Sequence, residues 1–142
     1  MSLTIILPVC VFIALTVIFM FRAEILIRVG DSHLLTNNFE KAGKAYERAL
    51  RLDKKNAVPC FSYGTWLINA GKPDEAIEIL NKGLLLTPPK IIENNIHIAL
   101  ISAWVLKNNK EEAMKRYEVV KTVLDADVAD QLKKLINKGH LY

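Results

Sequence analysis

The hydrophobic rhythm of the chain changes once, near residue 22. Residues 3–21, LTIILPVCVFIALTVIFMF, are apolar and carry no charge, whereas beyond them apolar and polar positions alternate with a helical period. Nineteen residues at ~1.5 Å each give roughly 28 Å of helix, close to a hydrocarbon core of about 30 Å. Thr4, Cys10 and Thr16 are its mildly polar members, and their side chains can bond back to the helix. Pro8 lies one or two turns inside, where a proline can kink a helix without ending it. The run therefore predicts a single transmembrane anchor over residues 1–22, held in the lipid bilayer through residues 3–21. Two rival readings are a cleaved signal peptide and a buried soluble helix. The first would need a basic start, a shorter apolar stretch and a small-x-small cleavage site; here Met1-Ser2 precedes the run and Arg22-Ala23-Glu24 follows it.

Between Phe21 and the periodic region no Gly, Pro or turn cluster interrupts "FMFRAEILIRV". One rigid helix is expected from about residue 3 to about residue 35, roughly 50 Å long. Arg22 and Arg28 flank the anchor on its C-terminal side, with Lys41, Lys44, Arg48 and Arg51 further on, which predicts a cytoplasmic tail and an outside N-terminus.

The periodic region repeats itself. At an offset of 34, Val29-Gly30 falls on Tyr63-Gly64, Asn37 on Gly71, and Glu40-Lys41-Ala42 on Asp74-Glu75-Ala76. Tyr46 falls on Leu80, Ala49 on Gly83 and Leu52 on Leu86. A third copy, "NNKEEAMKRYEVV" at 108–120, brings Ala113, Tyr117 and Val120 at an offset of 37 from the second, with three residues inserted around 88–93. Its position equivalent to Gly64 is Ile101, whose bulk should hold that pair of helices slightly further apart. A fixed period in this range is the mark of a helical array in which neighbouring units share one core.

With these residues the chain resembles the tetratricopeptide repeat family, whose 34-residue unit is a helical hairpin. The matching positions are Gly30 and Gly64 on first helices, Ala42 and Ala76 opening second helices, and Tyr46 and Leu80 in the large slot. Ala49 and Gly83 take the following small slot, and Pro88 closes the second unit. Leu26, Cys60 and His97 stand where the family carries an aromatic residue. The resemblance covers roughly residues 23–125 and implies hairpins at about 23–56, 57–90 and 94–127.

Local chemistry agrees. Gly71 can take the left-handed conformation that ends a helix, and Pro73 presets φ for the next. Asp74 and Glu75, like Glu111 and Glu112, sit near positive helix ends. Residues 127–139, DVADQLKKLINKG, predict a last helix with an Asp127 cap, Lys138 near its end and Gly139 just beyond. Its stripe Val128, Leu132, Leu135 and Ile136 would cover the open face of the array, making 126–142 a capping helix and tail. The expected fold is all-α: a transmembrane helix, an α-solenoid of three hairpins, and a cap.

Composition adds little chemistry. The net charge is +4, and residues 22–56 hold eight Lys/Arg against five Asp/Glu beside the apolar run. No basic stripe with interleaved aromatics suggests nucleic acid. Cys10 and Cys60 are too far apart in character to suggest a disulfide, and read as buried small hydrophobes. His33, His97 and His140 occur singly, without partners at metal-ligand spacing, and His33 and His97 read as core or boundary packing residues. No phosphate loop or nucleophile motif is present, so neither an enzyme, a cofactor nor a small-molecule substrate is expected.

The resemblance implies binding instead. In the family, first helices of successive hairpins line a groove that takes a peptide or helix. Its inward slots correspond here to Ile27, Asp31 and Leu34, then Phe61, Thr65 and Asn69, then Ile98, Ser102 and Leu106. The Lys, Asn and Arg set with which some members grip a C-terminal carboxylate is missing. The expected partner is a protein presenting an amphipathic helix or an extended apolar segment. The expected role is a membrane-anchored interaction scaffold or assembly aid; the alternative is a permanent structural subunit of a membrane complex.

Overall fold

A computed structural model describes the backbone of residues 3–139 and the side chains of these residues except 3–6, 19 and 20. The Thr4 side chain, His140 and the last two residues of the tail therefore lie outside the described residues. Seven helices are described: α1 Leu3–Leu35, α2 Phe39–Leu52, α3 Ala57–Asn69, α4 Pro73–Leu85, α5 Lys90–Leu106, α6 Lys110–Val120 and α7 Ala126–Lys138. They fall into two compact units, Met1–Asp53 and Lys54–Tyr142.

The first unit is the hairpin of α1 and α2. As the missing breaker predicts, α1 runs on across residue 22 as one helix of 33 residues. It is not the straight rod expected. The arms Leu7–Ile18 and Phe21–Leu35 diverge by 62°, a change of direction between Ile18 and Phe21. Among the described residues no single helix is long and apolar enough to cross a membrane; the two arms pass that test only together. Along the first arm Leu7, Phe12 and Leu15 are each at least 60% exposed. Thr16 Oγ1 donates back to the Ile13 carbonyl at 2.7 Å, which satisfies its hydroxyl within the apolar run.

What closes the hairpin is a missing Cβ. A methyl group on Gly30 would lie 2.5 Å from the Tyr46 ring, and Tyr46 is only 2% exposed. The Tyr46 hydroxyl, so placed, donates to Asp31 Oδ1 at 2.6 Å. Burial first, then that carboxylate, holds the phenol well above its usual titration range.

The second unit repeats the device. Gly64 lies against Leu80, which is fully buried, and an added Cβ would stand 2.6 Å from Leu80 Cγ. Around this crossing Leu67, Ile96 and Leu100 build a core shared by α3, α4 and α5. In the third hairpin the equivalent Ile101 is fully buried with Tyr117, Val120 and Ile136, in a second core formed by α5, α6 and α7. The three-residue insertion becomes helix: α5 starts at Lys90 and has 17 residues against 13 in α3.

The three hairpin turns are copies in backbone as well as in sequence. Asn37, Gly71 and Asn108 all adopt positive φ, at 56°, 71° and 55°. The following amides reach back to the carbonyls of His33, Leu67 and Trp104 at 2.7–2.9 Å, satisfying the last turn of each first helix. Asn, short and able to bond locally, is the side chain that best tolerates this conformation beside Gly. The last helix departs in detail from the expected one. Its cap residue is Asp125, Asp127 lies in the first turn, and Val128 is 41% exposed, so Ile136 carries the burial. Gly139 ends it at φ 77°.

Replacing Gly64 by Ala tests the crossing. Ala ordinarily favours a helix by up to ~1 kcal/mol over Gly, while overpacking costs ~1–3 kcal/mol. The fully buried Leu80 has no room to retreat, so a net loss of about 1–2 kcal/mol is expected in chemical denaturation of Gly64→Ala. A gain in stability would show that the helices can part at no cost.

Candidate protein-binding groove

Helices α3 and α5 stand side by side within the second unit, each with one face turned into the core and one turned out. Their outward faces enclose an open cavity of about 250 Å³ lined by Phe61, Thr65, Ile68 and Asn69 from α3 and Asn95, Ile98, Ala99 and Ser102 from α5. Five of the nine positions named from sequence are thus gathered in one place: Phe61, Thr65, Asn69, Ile98 and Ser102. Phe61 is half-buried; it packs against the core and also lines the cavity. The Thr65 hydroxyl donates to the Phe61 carbonyl at 2.9 Å, which fixes its rotamer. Among the described residues no charged side chain lines the cavity.

The remaining four positions are placed otherwise. Leu106 packs against the core of α3, α4 and α5 rather than lining the cavity. Ile27, Asp31 and Leu34 belong to the first unit, where Ile27 and Leu34 are half-buried. The Asp31 carboxylate is engaged inside its own hairpin by the Tyr46 hydroxyl. Three lining residues escaped the sequence reading, which followed one i, i+4 row on each helix. Ile68 is i+7 from Phe61, Asn95 is i−3 from Ile98, and Ala99 is i+4 from Asn95. All three belong to the same helical faces and were available from the adjacent row.

The tetratricopeptide repeat model matches residues 23–56. The NMR structure of the first TPR domain of the human RPAP3 protein superposes with a TM-score of 0.71 at 19% identity. That superposition covers 84% of this chain and 92% of the other. The fold is that of a tetratricopeptide repeat domain. A search of curated proteins finds no significant match.

On the side of α5 turned from the cavity lies His97, which is 6% exposed. Its Nε2 stands 4.0 Å from Glu93 Oε1 on the same helix. Arg116 of α6 lies nearby and donates to Asn81 Oδ1 of α4 at 3.4 Å. Burial, and then the Arg116 charge, push the imidazole below its usual range, with Lys90 adding to them and Glu93 opposing. His97 therefore serves as a neutral packing residue between α5 and the second helices. Among the described residues no group of three His, Cys, Asp or Glu could hold a metal ion.

A pH dependence follows. The folded state binds its His97 proton less readily than the unfolded chain does. Stability is thus intact above about pH 6.5, falls as pH drops below that value, and levels off beneath the folded value. The thermal midpoint should decline between about pH 7 and about pH 5, and His97→Gln should flatten that decline. An equal slope in both proteins would place the proton uptake elsewhere.

Proposed function

We propose that this protein is a membrane-anchored interaction scaffold of the tetratricopeptide repeat type. In this reading residues 1–22 anchor the chain, 23–56, 57–90 and 94–127 form repeats on the cytoplasmic side, and 126–142 cap the array. The groove between α3 and α5 receives a segment of a partner protein, either an amphipathic helix or an extended apolar stretch. The role is binding and assembly rather than catalysis.

The observation that carries this reading is the neutral cavity lined by Phe61, Ile68, Ile98 and Ala99, edged by Thr65, Asn69, Asn95 and Ser102. Its apolar floor offers burial to a hydrophobic side chain, and its amides and hydroxyl groups offer both donors and acceptors. A partner segment with charge at its centre would leave that charge desolvated and unpaired, which is strongly unfavourable. Uncharged segments are therefore preferred. The anchor is supported by the charge-free run of residues 3–21 and by the exposed Leu7, Phe12 and Leu15, which would otherwise face water. A bend shortens the span of α1, and local bilayer thinning accommodates such a shortfall at modest cost. The arginines after the run support the cytoplasmic side.

Two experiments test this. Alkaline carbonate should leave the full chain with the membrane pellet; release into the supernatant would refute the anchor. For the groove, Phe61→Ala should weaken partner binding at least about tenfold, since truncating a central aromatic commonly costs 2 kcal/mol or more. Because Phe61 is only half-buried, the loss of stability should stay below the ~3–5 kcal/mol of a fully buried Phe. Circular-dichroism melting and a pull-down on the same variant separate the two effects. A folded variant that binds normally contradicts the groove.

A further inference from the structure

Among the described residues of the second unit, the exposed large hydrophobics stand at one end. Leu85 closes α4 at 83% exposure, and Ile91 opens α5 at 70%. Val119 in the last turn of α6, Val123 in the connection to α7, and Val128 in the first turn of α7 are between 41% and 55% exposed. Glycine contacts fix the level of these helix ends. Gly83, near the end of α4, lies against Cys60 of α3 and Ile96 of α5, whose side chains an added Cβ would meet at 3.0 and 3.1 Å. Gly139, just beyond α7, lies against Asn108, just before α6, so α7 begins at the end where α6 finishes. The opposite end holds Gly71, Lys72, Asn108 and Lys110, and among the described residues of this unit no large hydrophobic is exposed there.

Leu85 and Ile91 are held outward. Their neighbours Leu84, Leu86 and Ile92 pack against the core, so neither can turn in without displacing one of them. Pro88 and Pro89 stand between them and stiffen the connection. Single exposed hydrophobics are ordinary, but a group of them gathered on one face marks a surface that lacks a partner.

The charge around this surface is divided between its two sides. On the side of α3 and α4 stand Lys54, Lys55 and Lys82, all exposed. On the side of α7 stand Asp125 and Asp127, also exposed. Between them Lys90 pairs with Glu93 and Lys121 with Glu118, so the middle is neutral. A partner of one sign would meet one side well and the other badly. A second copy turned about a two-fold axis sets the basic side of each on the acidic side of the other, with apolar centre on apolar centre.

We infer that the end of the second unit carrying Leu85 and Ile91 is a two-fold interface between copies of this chain. The two hydrophobic side chains form its centre, and the lysines and aspartates form its rim. The interface is small. Five helix ends of ~10 Å diameter present roughly 400–500 Å² per copy, so about 1,000 Å² is buried in all, the lower bound of specific association. A reversible dimer with a dissociation constant of about 10–100 μM is expected. The cavity between α3 and α5 lies on the flanks of these helices and not at their ends, so the dimer carries two open grooves. A partner offering two segments would then gain by avidity. That consequence rests on the groove reading above; the interface does not.

Sedimentation velocity of the full chain in nonionic detergent, at low salt and rising protein concentration, tests this. A monomer–dimer equilibrium is expected without larger species, because a two-fold contact closes on itself. Leu85→Asp should weaken dimerisation at least about tenfold, since it buries a charge at the apolar centre. Lys55→Glu with Lys82→Glu, and separately Asp125→Lys with Asp127→Lys, should each weaken it about three- to tenfold. An equimolar mixture of those two variants should recover the dimer as a heterodimer. Phe61→Ala should leave dimerisation unchanged, which separates this interface from the groove. Circular-dichroism melting confirms that each variant is folded, and the Leu85→Asp comparison stands alone should a charge variant fail to fold. A chain that stays monomeric at tenfold higher concentration overturns the inference. Association that is unchanged by Leu85→Asp, or lost equally in Phe61→Ala, also overturns it, because the copies then meet elsewhere. Open-ended growth, or a mixture that gains nothing over its two components, overturns it as well.

Discussion

The close crossing inside each hairpin is the constraint on which the rest depends. Gly30 admits the Tyr46 ring and Gly64 admits Leu80, at separations that leave no space for a Cβ. A bare patch of backbone on the first helix thus lets a large side chain on the second become almost fully buried. In the second unit this burial fixes which face of α3 turns inward. The face carrying Phe61, Thr65 and Asn69 is what remains outside. Placing α5 alongside, through Ile96 and Leu100 in the shared core, turns two such faces into a groove. The proposed binding surface is the reverse side of the packing solution.

Much of this was legible in the sequence because it depends on local pattern. The 34-residue offset set Gly30 on Gly64 and Tyr46 on Leu80, and the structure pairs Gly30 with Tyr46 and Gly64 with Leu80. The turns were legible for the same reason, with Asn37 and Gly71 in register and sharing positive φ. The unbroken α1 followed from the lack of any breaker after Phe21. The 62° divergence of its arms did not, since neither Pro nor Gly stands at that point. The cap of α7 was misassigned because Asp125 and Asp127 are equally good caps by type, and only the backbone path chooses between them.

The groove was legible in part for a geometric reason. An i, i+4 row on each helix found Phe61, Thr65, Asn69, Ile98 and Ser102. It passed over Ile68, Asn95 and Ala99, which lie on the neighbouring row. Asp31 shows the converse limit. Its position in the pattern suggested a partner contact, yet a tyrosine in the large slot supplies a hydroxyl that the equivalent Leu80 cannot, and the carboxylate is taken up within the hairpin. Among the described residues the cavity that results is lined by apolar side chains, amides and hydroxyl groups.

The most direct measurement of this account is site-specific photocrosslinking of the full chain in its membrane. A photoreactive residue at Ser102, inside the groove, is compared with one at Lys115, on the exposed side of α6. The account predicts a discrete protein adduct from Ser102 that disappears in the Phe61→Ala background, and none of that size from Lys115. An adduct that is the same at both positions, or that persists after Phe61→Ala, would contradict it.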